Sequence, residues 1–273
     1  MTASVTGAAR APGHERIAAA FAGHGKRAAL MPYLMGGFPD VDASRAIGIA
    51  CVDNGADLLE VGIPYSDPLA DGPVIHDAGT QALAAGATTE SALGVMGDLA
   101  ELCPVVCMCY ANLVYARGPE RFAADLAARG IAGLIVPDLP LEEGDAFLAA
   151  CEAAGVALVP LVAPTTPDDR LETIGARARG FVYTVAVSGT TGERTGTSGS
   201  LPDLLGRVKA ATDVPVALGF GITTPADVTA AAAAGADGVI VGSRLVRAAA
   251  EAEDDPAAAV GALVAALAAG LTG

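Results

Sequence analysis

Short apolar runs alternate with longer segments of helical spacing along nearly the whole chain. The runs are rich in Val, Leu and Ile and stay apolar at successive positions, which is typical of parallel strands buried on both faces. They occupy residues 30–35, 57–61, 104–110, 133–136, 157–161, 181–185, 214–218 and 238–241. The pattern therefore predicts eight short strands.

The segments between these runs carry helix boundaries at both ends. Several begin with Pro in the first turn and end at a Gly, as helices often do. The segments NGAD and AGADG lie where a helix ends and the next strand begins, which indicates a structural role rather than a site. The predicted helices lie at residues 17–22, 43–54, 89–101, 119–128, 143–154, 167–176, 202–210 and 225–234, with another along the apolar positions Val260, Leu263, Val264, Leu267 and Leu271.

Eight consecutive strand–helix units predict an α/β fold, a (β/α)8 TIM barrel with an extra N-terminal helix. A doubly wound open sheet is the alternative, but its first turn usually carries a glycine-rich phosphate fingerprint, and here that turn reads MGGFPD. The rhythm continues without a linker. We therefore expect residues 15–273 to form one barrel domain and residues 1–14 to be a disordered extension without a signal-peptide pattern.

Charge and cysteine content narrow the function. The formal charge of −15 argues against nucleic acid and against an anionic membrane face. Five cysteines without a CxxC pair indicate buried free thiols in a cytoplasmic protein. Three widely spaced histidines give no sign of a metal site. An anionic substrate remains compatible, because backbone N–H groups bind phosphate locally.

The barrel interpretation places chemistry just past the strands. The last three strands are followed by Gly, Ser and Thr at residues 188–192, 219–221 and 242–243, and the last of these opens a helical segment. This arrangement predicts a phosphate site, with plain turns as the alternative. The stretch 189–200 is expected to be a lid over the substrate or, alternatively, a simple connector.

Carboxylates cluster in LLEVGIPYSDPLADGP, residues 58–73. Glu60 ends a strand between apolar neighbours on the barrel rim, where desolvation raises a carboxyl pKa and suits general acid/base work; a salt-bridged rim acid is the alternative. Asp71 is either a helix N-cap or an acceptor for a substrate N–H or O–H. Asp67 and Asp138 have the contexts of loop-ordering residues.

These residues belong to motifs that closely resemble those of the tryptophan synthase alpha chain. The motifs are PYLMGGFPD, ADLLEVGIPYSDPLADGP, MCYANLVY, VPDLPLEE, GFGI and VGSRLV, in order between about residues 27 and 246. The resemblance implies a (β/α)8 barrel lyase that cleaves indole-3-glycerol phosphate to indole and D-glyceraldehyde 3-phosphate by a retro-aldol reaction. It also implies that this subunit uses neither a metal nor an organic cofactor.

The resemblance assigns roles residue by residue. Glu60 would be the general acid/base, Asp71 would accept the indole N–H, and Tyr183 would be the active-site tyrosine. Tyr33, Met108 and Ile222 would line the indole pocket. The implied phosphate contacts are Thr191, Gly192, Gly219, Gly221, Gly242 and Ser243.

The family also implies a partner, a beta chain that carries pyridoxal phosphate and joins the alpha chain in an α2β2 complex. Pro64 and Asp67 would touch that partner, with Asp67 as a relay between the subunits. One stretch departs from the family: VAVSGTTG has Ala186 where serine is usual and Thr190 where valine is usual. The departure bears on loop closure and its coupling to the partner.

Two other functions compete with this one. A sugar-phosphate isomerase on a similar barrel needs an acid/base pair from opposed strands, and the ends of the first and fifth strands offer no acid. A non-catalytic chain that only activates the beta chain would not require Glu60 and Asp71, yet both are present.

Overall fold

The strands form a closed parallel barrel in the computed structural model, which describes residues 10–185, 200–219, 221–252 and 254–272. The strands are β1 Ala29–Met35, β2 Leu59–Gly62, β3 Val105–Met108, β4 Gly133–Ile135, β5 Ala157–Val159, β6 Leu161–Val162, β7 Val182–Val185, β8 Val216–Gly219 and β9 Gly238–Val241. Their order is β5-β4-β3-β2-β1-β9-β8-β7-β6, and every pairing is parallel.

The predicted fifth strand is interrupted, which explains why nine strands appear in the described residues where eight were predicted. Only Pro160 separates β5 from β6, and proline has no N–H to give to a sheet ladder. Its carbonyl still accepts a hydrogen bond from the Tyr183 N–H at 2.9 Å. Because β5 pairs with β4 and β6 pairs with β7, the barrel closes through this one broken strand. The predicted TIM barrel is confirmed.

Helices cover the outside of the barrel, except for the first, which lies across its bottom. They are α1 Gly13–Gly23, α2 Val41–Asp53, α3 Pro73–Ala84, α4 Thr89–Leu99, α5 Ala111–Arg117, α6 Pro119–Ala128, α7 Asp145–Ala154, α8 Asp168–Arg177, α9 Leu201–Ala210, α10 Pro225–Ala233, α11 Ser243–Glu251 and α12 Pro256–Ala269, with a short 3-10 turn at Leu141–Glu143. The sequence did not predict α3 and α5 as separate helices. Within the described ranges, no helix is both long enough and apolar enough to cross a membrane.

The extra N-terminal helix α1 closes the bottom of the barrel. Ile17 and Phe21 are buried among the side chains of the barrel interior, and the Phe21 ring lies 5.6 Å from that of Phe181. A Cβ at Gly238 would come within 2.7 Å of the Phe21 ring, so the glycine makes room for this plug. The helix begins at Gly13, whose N–H donates to a carbonyl 2.7 Å away. The predicted end of the disordered extension at residue 14 is therefore too late, while residues 1–9 lie outside the description.

The aspartates of NGAD and AGADG tie the starts of neighbouring strands together. Asp57 accepts the Leu30 N–H at 2.7 Å at the start of β1. Asp237 accepts the Val216 N–H at 2.9 Å at the start of β8. Each carboxylate also pairs with a lysine ammonium 2.7 Å away. Both lie at the bottom of the barrel, away from the strand ends where the site is expected, which confirms their structural interpretation.

Candidate active site

Glu60 points into the barrel. It pairs in register with Tyr33 on β1 and Val106 on β3, and Val106 belongs to the interior cluster together with Leu58, two residues before Glu60. Because side chains alternate along a strand, Glu60 faces inward as Leu58 does. Glu60 lies within β2 and is only 1% exposed, so it is deeper than the rim position that the sequence predicted.

The Glu60 carboxyl has no ion-pair partner among the described residues. Its Oε2 is buried and makes no hydrogen bond within the described residues, and no described cation forms an ion pair with it. Burial, followed by the nearby charge of Asp71, raises its pKa to about 8. The alternative of a salt-bridged acid thus finds no support in the described chain. A carboxyl that keeps its proton near neutral pH and gives it up easily is suited to proton transfer.

Asp71 lies in the loop between β2 and α3. The helix α3 begins after Gly72 and has no side-chain cap, so the N-cap interpretation of Asp71 is wrong. Its Oδ1 accepts a hydrogen bond of 3.0 Å from the Tyr110 hydroxyl. Burial raises the pKa of Asp71, while the Tyr110 hydrogen bond and the charge of His76 oppose this rise. The Tyr110 hydroxyl therefore orients the Asp71 carboxylate in the loop that follows the carboxyl end of β2.

Two buried tyrosines, Tyr33 and Tyr183, lie near enough to the carboxyl groups to interact with their charges. Burial is the main cause that raises the pKa of both Tyr33 and Tyr183 well above the usual value; Glu60 adds to both and Asp71 adds to Tyr33. Both rings need glycine beside them. A Cβ at Gly62 would overlap the Tyr33 hydroxyl, and one at Gly219 would overlap the Tyr183 hydroxyl. Gly219, which was predicted as a phosphate contact, thus also makes room for a tyrosine.

A cavity of about 370 Å³ opens at this end of the barrel. Met108, Ile135 and Leu161 form an apolar wall, and Tyr183 and Ala70 lie on its border. Ala70 directly precedes Asp71, so the cavity adjoins the acceptor. Ile222, predicted to line the indole pocket, instead packs against the core between the sheet and the helices. It does not line the described part of this cavity.

The expected phosphate end is formed by β8, β9 and α11. Gly242 precedes α11, whose first turn contains no acidic residue and has no side-chain cap. Its first N–H groups have no intrahelical acceptor, as at any helix start, and so suit an anion. Gly221 has φ of +76°, a conformation that glycine adopts freely. Ser243 is exposed at the helix start.

Part of the predicted site lies outside the described residues. This part includes the phosphate contacts Thr191 and Gly192, the departures Ala186 and Thr190, and nearly all of the proposed lid at 189–200. These predictions stay predictions. In the part of the chain that the structure describes, no group of three His, Cys, Asp or Glu side chains could hold a metal ion.

Tyr110 is the residue whose role the sequence did not reveal. It is the last residue of the third predicted strand, 104–110, which places it near the mouth of the barrel. Nothing in the local pattern showed that its hydroxyl reaches Asp71, which is 39 residues away in sequence.

Comparison with known proteins identifies the family of this chain. A family model for the tryptophan synthase alpha chain matches residues 20–270. The tryptophan synthase alpha chain of Gloeobacter violaceus is 48% identical over 236 residues, which cover 85% of this chain and 86% of that relative. The alpha chain of Methanosarcina acetivorans is 47% identical over 222 residues, or 81% of each chain.

Solved structures give the same result. The structure of tryptophan synthase from M. tuberculosis in an open form matches with a TM-score of 0.85 and 40% identity, over 96% of this chain and 99% of that one. A structure of the tryptophan synthase α2β2 complex from Pyrococcus furiosus contains a chain that matches with a TM-score of 0.80 and 34% identity, over 89% and 98%. The chain therefore belongs to the tryptophan synthase alpha chain family, the lyase subunits of tryptophan biosynthesis.

Proposed function

We propose that this chain cleaves indole-3-glycerol phosphate into indole and D-glyceraldehyde 3-phosphate at the carboxyl end of the barrel, with Glu60, Asp71 and Tyr183 as its catalytic residues. The observation that carries the proposal is the Glu60 carboxyl, fully enclosed in the barrel, without a described partner and with a pKa of about 8. An enzyme that must add a proton to carbon and remove one from oxygen needs such a group.

The reaction balances with this single acid/base. Protonated Glu60 gives its proton to C3 of the indole ring, which places positive charge on the ring. The resulting carboxylate helps to remove the proton from the side-chain hydroxyl. The bond between C3 and the hydroxyl-bearing carbon then breaks, its electron pair returns to the ring, and an aldehyde leaves. One proton enters and one leaves, so the scheme requires no metal or organic cofactor from this chain.

Asp71 is assigned to the indole nitrogen. Its carboxylate would accept the ring N–H and stabilise the positive charge that develops when C3 is protonated. Asp71 directly follows Ala70, which lines the cavity, and the charge of Asp71 contributes to the raised pKa of Glu60, so we place both carboxyl groups at one site. The division of labour follows from burial, because the enclosed acid holds its proton while the partly exposed one is the better anion.

The two ends of the substrate suit the two ends of the site. Met108 provides apolar surface for the indole ring, and Tyr183 lines the same cavity beside Gly219. Tyr33 is buried and does not line the described part of this cavity, so we assign it to the wall behind the ring. The phosphate would bind at Gly221, Gly242 and Ser243, where the first turn of α11 offers N–H groups. Thr191, Gly192 and the backbone of Gly219 complete the proposed contacts.

We assign the partner as a beta chain with pyridoxal phosphate, in an α2β2 complex in the cytoplasm. The P. furiosus relative is an α2β2 complex, which supports this assignment. Pro64 is buried in this chain, so the proposed contact falls on the exposed residues of the loop, among them Asp67 and Leu69, the latter 84% exposed. The free, mostly buried thiols agree with a reducing compartment.

The substitution Glu60→Gln tests the assignment, because it keeps the size of the side chain and removes its proton chemistry. We expect indole release from indole-3-glycerol phosphate to fall by roughly a hundredfold or more, in the chain alone and in its mixture with a beta chain. Glu15→Gln is the matched control, since Glu15 is exposed on α1 at the opposite end of the barrel. Normal turnover in Glu60→Gln would remove Glu60 from the mechanism. If the unaltered chain releases no indole in either state, a purely activating role is favoured.

A further inference from the structure

Tyr110 lies where β3 gives way to α5, and its hydroxyl reaches across to the neighbouring loop. The residue is 3% exposed. Its oxygen accepts the Ala70 N–H at 2.9 Å and its hydroxyl donates to Asp71 Oδ1 at 3.0 Å. One hydroxyl therefore fixes both the backbone before Asp71 and the carboxylate itself.

Tyr110 is in turn held in place from both sides. The ring of Tyr65, from the same loop as Asp71, stacks on it with centroids 5.3 Å apart and planes 27° apart. The Tyr65 hydroxyl accepts a hydrogen bond of 3.1 Å from Asn112 Nδ2. The next residue, Ala111, donates its N–H to Asp138 at 2.8 Å. A rigid tyrosine thus faces a loop that has no regular secondary structure at residues 64–71.

The geometry leaves one oxygen of Asp71 for a ligand. Oδ1 is taken by Tyr110, while no described side chain or backbone group donates to Oδ2. Without that bond, a carboxylate on an irregular, partly exposed loop would sample several rotamers. It would then spend only part of its time in the orientation that the reaction needs. A second hydrogen bond to a catalytic acid is a common way to fix its orientation.

We propose that Tyr110 is a positioning residue that holds the Asp71 carboxylate by Oδ1 so that Oδ2 faces the indole N–H. The inference rests on the proposed function of Asp71. Tyr110 does not take part in proton transfer to the substrate in this scheme. It keeps the acceptor in place before the positive charge develops on the ring, so its contribution is largest in the transition state.

The test is Tyr110→Phe, which keeps the buried ring and its stack on Tyr65 and removes only the hydroxyl. We expect kcat for indole release to fall roughly tenfold or more, with a smaller change in KM. The matched control is Tyr115→Phe on α5, the helix that follows Tyr110, because Tyr115 is 53% exposed and packs edge-on against Phe147, away from the cavity. Equal kinetics in both variants would overturn the proposal.

A pH profile separates positioning from general stability. The Tyr110 hydrogen bond lowers the pKa of Asp71, so its removal should move the acid limb of kcat/KM to higher pH. A lower rate with an unmoved limb would reflect structural damage and would count against the proposal. Melting temperatures of the two tyrosine variants provide the folding check.

The double variant with Asp71→Ala distinguishes this inference from the function on which it rests. Without the carboxylate there is nothing to position, so Tyr110→Phe should cost little more in that background. Fully additive losses, with Asp71→Ala itself strongly impaired, would overturn the positioning role alone. An Asp71→Ala variant with normal turnover would overturn the role of Asp71 and the positioning role together.

Discussion

At the scale of single residues, the main feature is a carboxyl that the fold keeps uncharged. Burying an ionised carboxylate without a partner costs several kcal/mol, so Glu60 retains its proton instead. The strand makes this possible, because alternation places Glu60 on the same inner face as Leu58 while its immediate neighbours face the helices. The position is costly for stability and useful for chemistry.

Burial of Glu60 predicts that the stability difference between the unaltered chain and Glu60→Gln depends on pH. The folded-state pKa of Glu60 is about 8, above the ordinary value of 4.5, so between these pH values the folded chain holds a proton that the unfolded chain has lost. The free energy of unfolding therefore falls as pH rises through this window, by up to about 1.4 kcal/mol per pH unit. Glutamine has no such dependence. Relative to the unaltered chain, Glu60→Gln should gain at least about 1 kcal/mol between pH 5 and pH 8.

Urea unfolding of both proteins at the two pH values measures this difference. Glu15→Gln again serves as the control, since Glu15 is exposed on α1. A stability difference between Glu60→Gln and the unaltered chain that stays constant from pH 5 to pH 8 would mean that Glu60 does not hold its proton.

At the scale of elements, two strands are held at their starts by aspartates. Each aspartate lies just before the next strand in the barrel and accepts a backbone N–H from the start of its neighbour. Asp57 and Lys26 have side chains that are 13% and 9% exposed, whereas Asp237 and Lys209 are 38% and 39% exposed. The same motif therefore appears in a nearly buried and in a half-exposed form. Removal of one partner from a buried pair leaves the other charge unpaired in a poor solvent.

Asp57→Ala should therefore destabilise the barrel by about 2–3 kcal/mol, against about 1 kcal/mol for Asp237→Ala. The reason is that Lys26 and the Leu30 N–H lose their partner where water reaches them poorly. Thermal unfolding of the two variants compares the costs directly. Equal costs, or a larger cost at Asp237, would contradict the burial argument.

The elements were largely predictable because each has a local signal. Pro119 and Gly130 bound α6, and its predicted and observed ranges agree; the last strand, β9, was also predicted with its observed bounds. The fifth strand was predicted as one run, since its break depends on the ladder that Pro160 fails to complete. The helix α3 was not predicted, because it follows a stretch rich in Pro and Asp that suggested an irregular loop. The helix α5 was not predicted either; it has only seven residues and follows an apolar strand run almost directly.

At the scale of the whole molecule, both ends of the barrel are specialised. The plug α1 closes the bottom, and the loops that carry the site and the proposed partner surface lie at the top. Among the large hydrophobic residues in the described ranges, Leu69 is the most exposed, at 84%, in the loop between β2 and α3. An exposed leucine beside the site suits the proposed beta-chain contact.

Leu69→Asp should weaken association with a tryptophan synthase beta chain by tenfold or more and leave the fold intact, because the side chain contributes little to the core. Leu102→Asp is the matched control: it adds the same charge at a residue that is 52% exposed just before β3, at the opposite end of the barrel. Titration of each variant with the beta chain, followed by complex size, provides the measurement. Equal weakening by both variants would indicate a charge effect instead of a contact at Leu69.

The sequence by itself determined the barrel and singled out Glu60 as the candidate general acid, because both depend on local patterns. Strand and helix periods recur in order along the chain, and a single glutamate interrupts an apolar strand run. Only the tertiary structure decided the depth and isolation of Glu60, the bond from Tyr110 to Asp71, and the need of Tyr183 for Gly219. These features join residues that are distant in sequence, and no local pattern records which side chains closure of the barrel brings together.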